Sequence, residues 1–373
     1  MAQSSRLFQP LKVGNATLQH RLVMAPLTRY RSDENGVPLP FVKEYYGQRA
    51  SVPGTLLITE ATYASKRGAG YLYTPGIWSK EQIAGWKEVT DAVHAKGSYI
   101  FVQLWALGRV ATPETIKSLG FDLVSASNIP SEEGKPVPRE LTVDEIQSFV
   151  ADFAQAARNA VEAGFDGVEI HGANGYLIDQ FIQDVSNKRN DQYGGSIENR
   201  ARFALEIANA VTGAIGSDRV GIRLSPWSQF QGMRMADPIP QFTYLIKELS
   251  KVKLAYLHVV QSHDMLSSNP EASADFKASE QLSFAVKAWD NTSPVLIAGG
   301  YAPDTAKKLV DEVFKDNDVA VVFGRFFIST PDLPFRIKKG LPLAKYDRST
   351  FYAAGSTKGY IDYPFSEDFA QAA

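Results

Sequence analysis

The chain contains no cysteine. That excludes disulfides, thiolate metal sites and a cysteine nucleophile together, and it fits a reducing compartment. Long hydrophobic runs are missing too; none approaches the roughly 18 residues that a membrane span needs. Met1 to Gln9 lacks an apolar core segment, so no signal peptide is expected. Ala370-Gln-Ala-Ala373 carries no retention, peroxisomal or prenylation signal. A cytoplasmic location is the expectation. Nor is there an excess of charge of either sign: 39 Lys and Arg against 41 Asp and Glu give a net charge of −2. Nucleic-acid proteins are usually strongly basic and polybasic membrane anchors need clustered Lys and Arg, so neither nucleic acid nor membrane is an expected partner. No Gly-x-Gly-x-x-Gly follows a strand-like run. P-loop, His-Glu-x-x-His and Gly-x-Ser-x-Gly motifs are absent as well. His258 and His263 lack a helical metal-ligand spacing and read as structural or incidental; no metal is expected.

What is present is an alternation. Eight apolar, β-rich runs cover residues 21–25, 55–61, 98–104, 166–171, 220–224, 254–260, 294–298 and 319–323. Most are nearly continuous in apolar residues, as parallel strands covered on both faces are. Helical stretches lie between most of them. Ser79 with Gln82, and Thr142 with Glu145, have capping-box spacing before helices that end near Gly97 and Gly164. Residues 199–215 and 303–315 read as two more helices. The pattern predicts the α/β class and a closed (β/α)8 TIM barrel, residues 1–373 forming a single domain. An open doubly wound sheet is the competing arrangement. Residues 11–19, with Gly14-Asn15 at the centre, read as an N-terminal hairpin. Long loops follow strands three (residues 105–139) and four (171–199), on the face where barrel active sites lie.

Several strand ends carry chemistry. His171, Asn174 and Tyr176 cluster where the fourth run stops. The first two offer N–H donors and the third a phenolic proton. Donors converging on one carbonyl oxygen would stabilise negative charge there; alternatively, His171 ends a strand and Asn174-Gly175 makes a turn. Gly299-Gly300 and Gly324-Arg325 close runs seven and eight, where barrels often hold phosphate; they could equally be simple strand-to-helix turns. Thr28, Gln103 and Arg223 complete a ring, and a buried Arg223 needs an anionic ligand or partner.

Together these residues resemble the Old Yellow Enzyme family. The resemblance rests on Met24-Ala-Pro-Leu-Thr-Arg29, Gln103-Leu-Trp105 and His171-Gly-Ala-Asn-Gly-Tyr-Leu177. Gln192-Tyr-Gly-Gly-Ser-Ile-Glu-Asn-Arg200, Phe323-Gly-Arg-Phe-Phe327 and Tyr346-Asp-Arg-Ser-Thr-Phe-Tyr352 extend it over nearly the whole chain in order. Pro38-Leu-Pro-Phe-Val-Lys-Glu-Tyr-Tyr-Gly-Gln-Arg-Ala50 is similar to fungal members of ergot-alkaloid pathways.

The resemblance implies a barrel holding FMN non-covalently, NADPH as reductant, and ene-reductase activity. In that activity the C=C bond of α,β-unsaturated carbonyls and nitroalkenes is reduced by ping-pong hydride transfer through FMN N5. It implies Pro26, Leu27, Thr28 and Ala61 along the flavin ring, Gln103 at its pyrimidine edge and Arg223 near N1 and O2. Gly299, Gly300, Gly324 and Arg325 would hold the phosphate, Gly300 by backbone alone because some relatives carry Asn there. His171 and Asn174 would bind the substrate oxygen, Tyr176 would donate the proton, and Trp105, Phe351 and Tyr352 would shape the pocket. Tyr176 favours a reductase over an isomerase among the ergot-type members. A monomer or homodimer is expected. Two rivals stay open: a non-flavin, phosphate-binding barrel aldolase or isomerase, and a flavin-binding protein without turnover.

Overall fold

A computed structural model of the chain describes residues 5–261 and 281–372. Strands β1 (Leu11–Val13) and β2 (Ala16–Leu18) form the expected antiparallel hairpin. At its tip Gly14 has φ +53, and a Cβ there would meet the Asp218 carbonyl oxygen at 1.8 Å. Only glycine lets this turn close against the loop entering the barrel.

The next strands are β3 (Leu22–Met24), β4 (Leu56–Tyr63), β5 (Tyr99–Trp105), β6 (Val124–Ser125) and β7 (Arg139–Glu140). Then come β8 (Gly167–Gly172), β9 (Val220–Leu224), β10 (Tyr256–Val260), β11 (Val295–Ala298) and β12 (Val319–Phe323). β3, β4, β5 and β8 to β12 close into a barrel, each paired in parallel with the next, and the β9–β10 and β12–β3 pairings shut the ring. The eight apolar runs are these eight strands. The open-sheet arrangement is therefore excluded. β6 and β7 pair within the long loop after β5, which also carries a helix at Pro113–Ser118.

Strand alternation sorts the core into two radial layers. Val168 and Ile170 of β8 point outward with Val102, Ile222 and Leu257 to meet the helices. Val23, Leu56, Phe101, Tyr256, Leu296 and Ala320 point inward, joined below by the hairpin. Both capping boxes form, at Ser79–Gln82 and Thr142–Glu145, and start the helices Lys80–His94 and Val143–Glu162. Each is worth about 1 kcal/mol. Along the second helix Phe149, Phe153, Ala157 and Ala160 are buried on one face.

Two of the helices that differ from the sequence reading show why. Pro238–Val252, between β9 and β10, was not expected, because Pro238 and Pro240 disguise its start. In fact Asp237 caps it and Pro238 sits in the first turn, where a missing N–H costs nothing. The expected helix over 303–315 is α-helical only across Pro303–Lys308 and continues as a π turn over Leu309–Val313. Arg6 reaches across from the N-terminus and donates to the carbonyls of Val310 at 3.0 Å and Asn317 at 3.0 Å. Those acceptors are thereby satisfied from outside the helix.

Candidate active site

At the C-terminal mouth of the barrel lies a cavity of about 880 Å³, within the usual range for small-molecule sites. Most of the expected site residues meet in its wall. Pro26, Leu27 and Thr28 enter from the end of β3, Trp105 from β5, and Asn174 and Tyr176 from the turn after β8. Arg223 comes from β9, Gly299 and Gly300 from the end of β11, Gly324 and Arg325 from the end of β12. Phe351 and Tyr352 close it from the C-terminal segment. His171 is buried just behind this wall, its ring 5.0 Å from that of Tyr176 and 6.3 Å from that of Trp105. Ala61 and Gln103 are not in the wall: Ala61 is buried beside a register shift in β4, and Gln103 spends one amide N–H on Glu169 at 2.7 Å.

The donors are set by local chemistry. His171 Nδ1 accepts the Ala173 N–H at 3.4 Å, which assigns the ring proton to Nε2. Burial, with the Arg223 guanidinium nearby, pushes its pKa well below the usual value, so the ring is neutral and a hydrogen-bond donor. Asn174 adopts φ +59, a left-handed backbone that Asn tolerates better than most residues. Its N–H donates to Ser225 Oγ at 2.7 Å and its carbonyl accepts from Gln231 Nε2 at 2.9 Å. The next residue must be glycine: at φ +76, a Cβ on Gly175 would meet Met233 Cγ at 2.8 Å. Tyr176 stands edge-on to Trp105, with centroids 4.7 Å apart and planes at 89°. Burial raises its pKa far above that of a free phenol, so it holds its proton.

The residues present fit a phosphate-bearing, redox-active ring. Arg223 is buried, its Nε has no partner, and its guanidinium makes no hydrogen bond or ion pair among the described residues. Arg325 packs over Tyr346, also without an ion pair among the described residues. Trp105 Nε1 and Asn174 Oδ1 are likewise buried without partners at the same cavity. Two unpaired cations and two orphaned polar atoms around one cavity call for a polar, anionic ligand. A side chain at Gly299 would meet Gln261 Cβ at 2.7 Å, so a bare backbone is required there.

Sequence reasoning missed the support of this site. Arg29 donates to the Phe351 and Gly359 carbonyls at 3.0 and 2.9 Å; Arg31 donates to those of Phe351 and Thr350, both at 3.0 Å. These buried arginines tie the segment carrying Phe351 and Tyr352 to the loop carrying Thr28. Behind them Glu60 accepts the Arg29 N–H at 3.3 Å, and burial pushes its pKa up to about 7 against the pull of both arginines. The signal available was an Arg-Tyr-Arg run a few residues after an apolar strand. Glu169, inside β8, was passed over as part of a strand. His258 is structural as expected, bonded through Nδ1 to Glu169 at 2.8 Å; His263 lies outside the described residues.

A closed barrel with this donor pair and unpaired cations at its C-terminal mouth has a site built for a polar, anionic ligand. The chain belongs to the NADH:flavin oxidoreductase / NADH oxidase family, which residues 6–344 match. It is therefore an FMN-dependent oxidoreductase of the Old Yellow Enzyme type, and the non-flavin aldolase or isomerase falls away. It is 56% identical to an NADP-dependent oxidoreductase of Aspergillus flavus, over 97% of each chain. A chanoclavine-I aldehyde reductase of Penicillium roqueforti is also 56% identical, over 99% of this chain and 98% of that protein. Among solved structures, Old Yellow Enzyme from Pichia sp. AKU4542 superposes with a TM-score of 0.88 at 38% identity, covering 97% of this chain and 94% of that one.

Proposed function

We propose that the protein is an NADPH-oxidising ene-reductase with non-covalently held FMN, acting on α,β-unsaturated aldehydes and ketones and on nitroalkenes. FMN, when bound, supplies reversible hydride storage between nicotinamide and alkene. Arg223, Gln103 and Thr28 are the residues that would hold its ring, and Gly299, Gly300, Gly324 and Arg325 its phosphate. One observation carries the reading: Asn174 and a protonated Tyr176 line the same cavity as the unpaired Arg223, and a neutral His171 is buried against Tyr176, its ring centroid 5.0 Å away. His171 Nε2–H and the Asn174 amide polarise a carbonyl oxygen. Removing one such donor from an oxyanion site typically costs about 2.7–4 kcal/mol. Tyr176 keeps its proton until charge develops on the carbon next to the carbonyl, and then gives it up. Trp105, Phe351 and Tyr352 give that exchange an aromatic wall. The NADP-dependent relative supports NADPH over NADH, and the chanoclavine-I aldehyde reductase supports an aldehyde among the substrates.

Chromatography of the flavin released on denaturation, followed by anaerobic reduction with NADPH and reoxidation with enones, enals and nitroalkenes, tests this. FMN and rapid reoxidation by enals or enones are expected. Release of FAD, no flavin binding after reconstitution, or a reduced protein that no alkene reoxidises overturns it.

A further inference from the structure

The barrel interior is divided. β3, β4, β11 and β12 fill their half with Val23, Ala25, Leu56, Ile58, Leu296 and Val322. β5, β8, β9 and β10 also contribute Phe101 and Val260, but otherwise fill theirs with Gln103, Glu169, His171, Arg223, Tyr256 and His258, all buried. Glu169 lies at the centre of this polar half and is fully enclosed. One carboxylate oxygen accepts Gln103 Nε2 at 2.7 Å; the other accepts His258 Nδ1 at 2.8 Å and the Tyr256 hydroxyl at 3.1 Å. Strand register puts Glu169 opposite Gln103, and Arg223 opposite both His171 and His258.

A buried carboxylate carries a desolvation cost of several kcal/mol unless it is well compensated. Burial acts to raise the pKa of Glu169, but His258, Arg223 and Gln103 outweigh it and hold the group below the ordinary carboxylate range. For His258 burial dominates over the contact with Glu169, so the ring stays neutral and donates through Nδ1. The polar half therefore holds one anion and one cation, Glu169 and Arg223, and Arg223 is the member that opens to the cavity. The apolar half shows that packing alone does not require a charge inside this barrel.

We propose that Glu169 is a positioning residue for the flavin: its charge offsets that of Arg223, and its hydrogen bond fixes which way the Gln103 amide faces. This rests on the reading that Arg223 and Gln103 hold the flavin ring. Arg223 by itself favours the more negative, reduced cofactor, and Glu169 opposes it. Gln in place of Glu169 keeps the size and removes the charge, so reduction becomes easier.

The test is the midpoint potential of the bound FMN, read by spectroscopic titration against reference dyes. Glu169→Gln is expected to raise the reduced-to-oxidised ratio at a fixed potential at least tenfold, which is about 30 mV for a two-electron couple. Tyr256→Phe removes a donor from the same carboxylate but leaves its charge, and should change the ratio less than twofold. An unchanged or more negative potential in Glu169→Gln, or an equal shift in Tyr256→Phe, overturns the proposal. If Glu169→Gln does not fold, Glu169→Gln/Arg223→Gln removes both charges: regained cooperative thermal unfolding supports the offset, and continued failure to fold overturns it. Flavin released from the unaltered protein tests the cofactor reading separately. Without FMN that reading fails, while comparing thermal unfolding of the single and double variants still decides the charge offset.

Discussion

Tyr176→Phe separates proton donation from everything else Tyr176 does. The ring is held edge-on between Trp105 at 4.7 Å and His171 at 5.0 Å. Phe keeps both contacts, each worth about 0.5–1.5 kcal/mol beyond area burial, so folding and pocket shape should survive. What is lost is the hydroxyl beside the Gln231 side chain, and with it the acid. A positioned general acid contributes roughly 100- to 10,000-fold, which is about 3–5 kcal/mol of barrier. Reduction of the flavin by NADPH needs no proton from this side chain. Reduction of an enone does, because negative charge develops on the carbon beside the carbonyl. Stopped-flow measurement of each half-reaction should therefore show near-normal flavin reduction and enone reduction slowed by at least about 100-fold. A nitroalkene should still be consumed, since its nitronate is stable without immediate protonation. Equal slowing of both half-reactions would falsify the proton-donor role and leave Tyr176 as a packing residue.

Further outcomes follow from the same geometry. A para-substituted phenol should bind over the flavin as its phenolate and give a long-wavelength charge-transfer band. Asn174→Ala should weaken that binding by roughly 2–4 kcal/mol, and equal titration curves would show that Asn174 is no ligand donor. Glu60, held near 7 by burial, keeps in the fold a proton that the unfolded chain has already released above its ordinary value of 4.5. In that window stability falls as pH rises. Glu60→Gln should flatten the fall, with a difference approaching roughly 3 kcal/mol at about pH 8, at 1.36 kcal/mol per pKa unit. His20, lowered to about 4 by burial, and Asp179, raised to about 7 by burial, titrate in both proteins and cancel in the difference. Parallel stability curves from about pH 5 to about pH 8 would show that Glu60 is not the group responsible.

The sequence by itself determined the order of the eight barrel strands. Continuous β-branched apolar runs such as Val319 to Phe323 suit strands covered on both faces, and Ser79 and Thr142 announce their helices through local hydrogen bonds. Thr28, Asn174, Tyr176, Gly324 and Arg325 could be expected at one cavity because residues at strand ends share one barrel face. The helix at Pro238–Val252 was hidden because its prolines look like breakers until Asp237 is seen capping it. Tertiary structure alone decided which side chains meet inside the barrel. Nothing local to Gly-Val-Glu-Ile-His says that Glu169 faces inward onto Gln103, Tyr256 and His258. Nor could the sequence show that Arg29 and Arg31 tie down a segment more than 300 residues away in the chain, each donating to the Phe351 carbonyl. The physical reason is register. A shift of one residue in any strand would exchange its inward and outward side chains, and that choice is made jointly, by eight strands closing on one another.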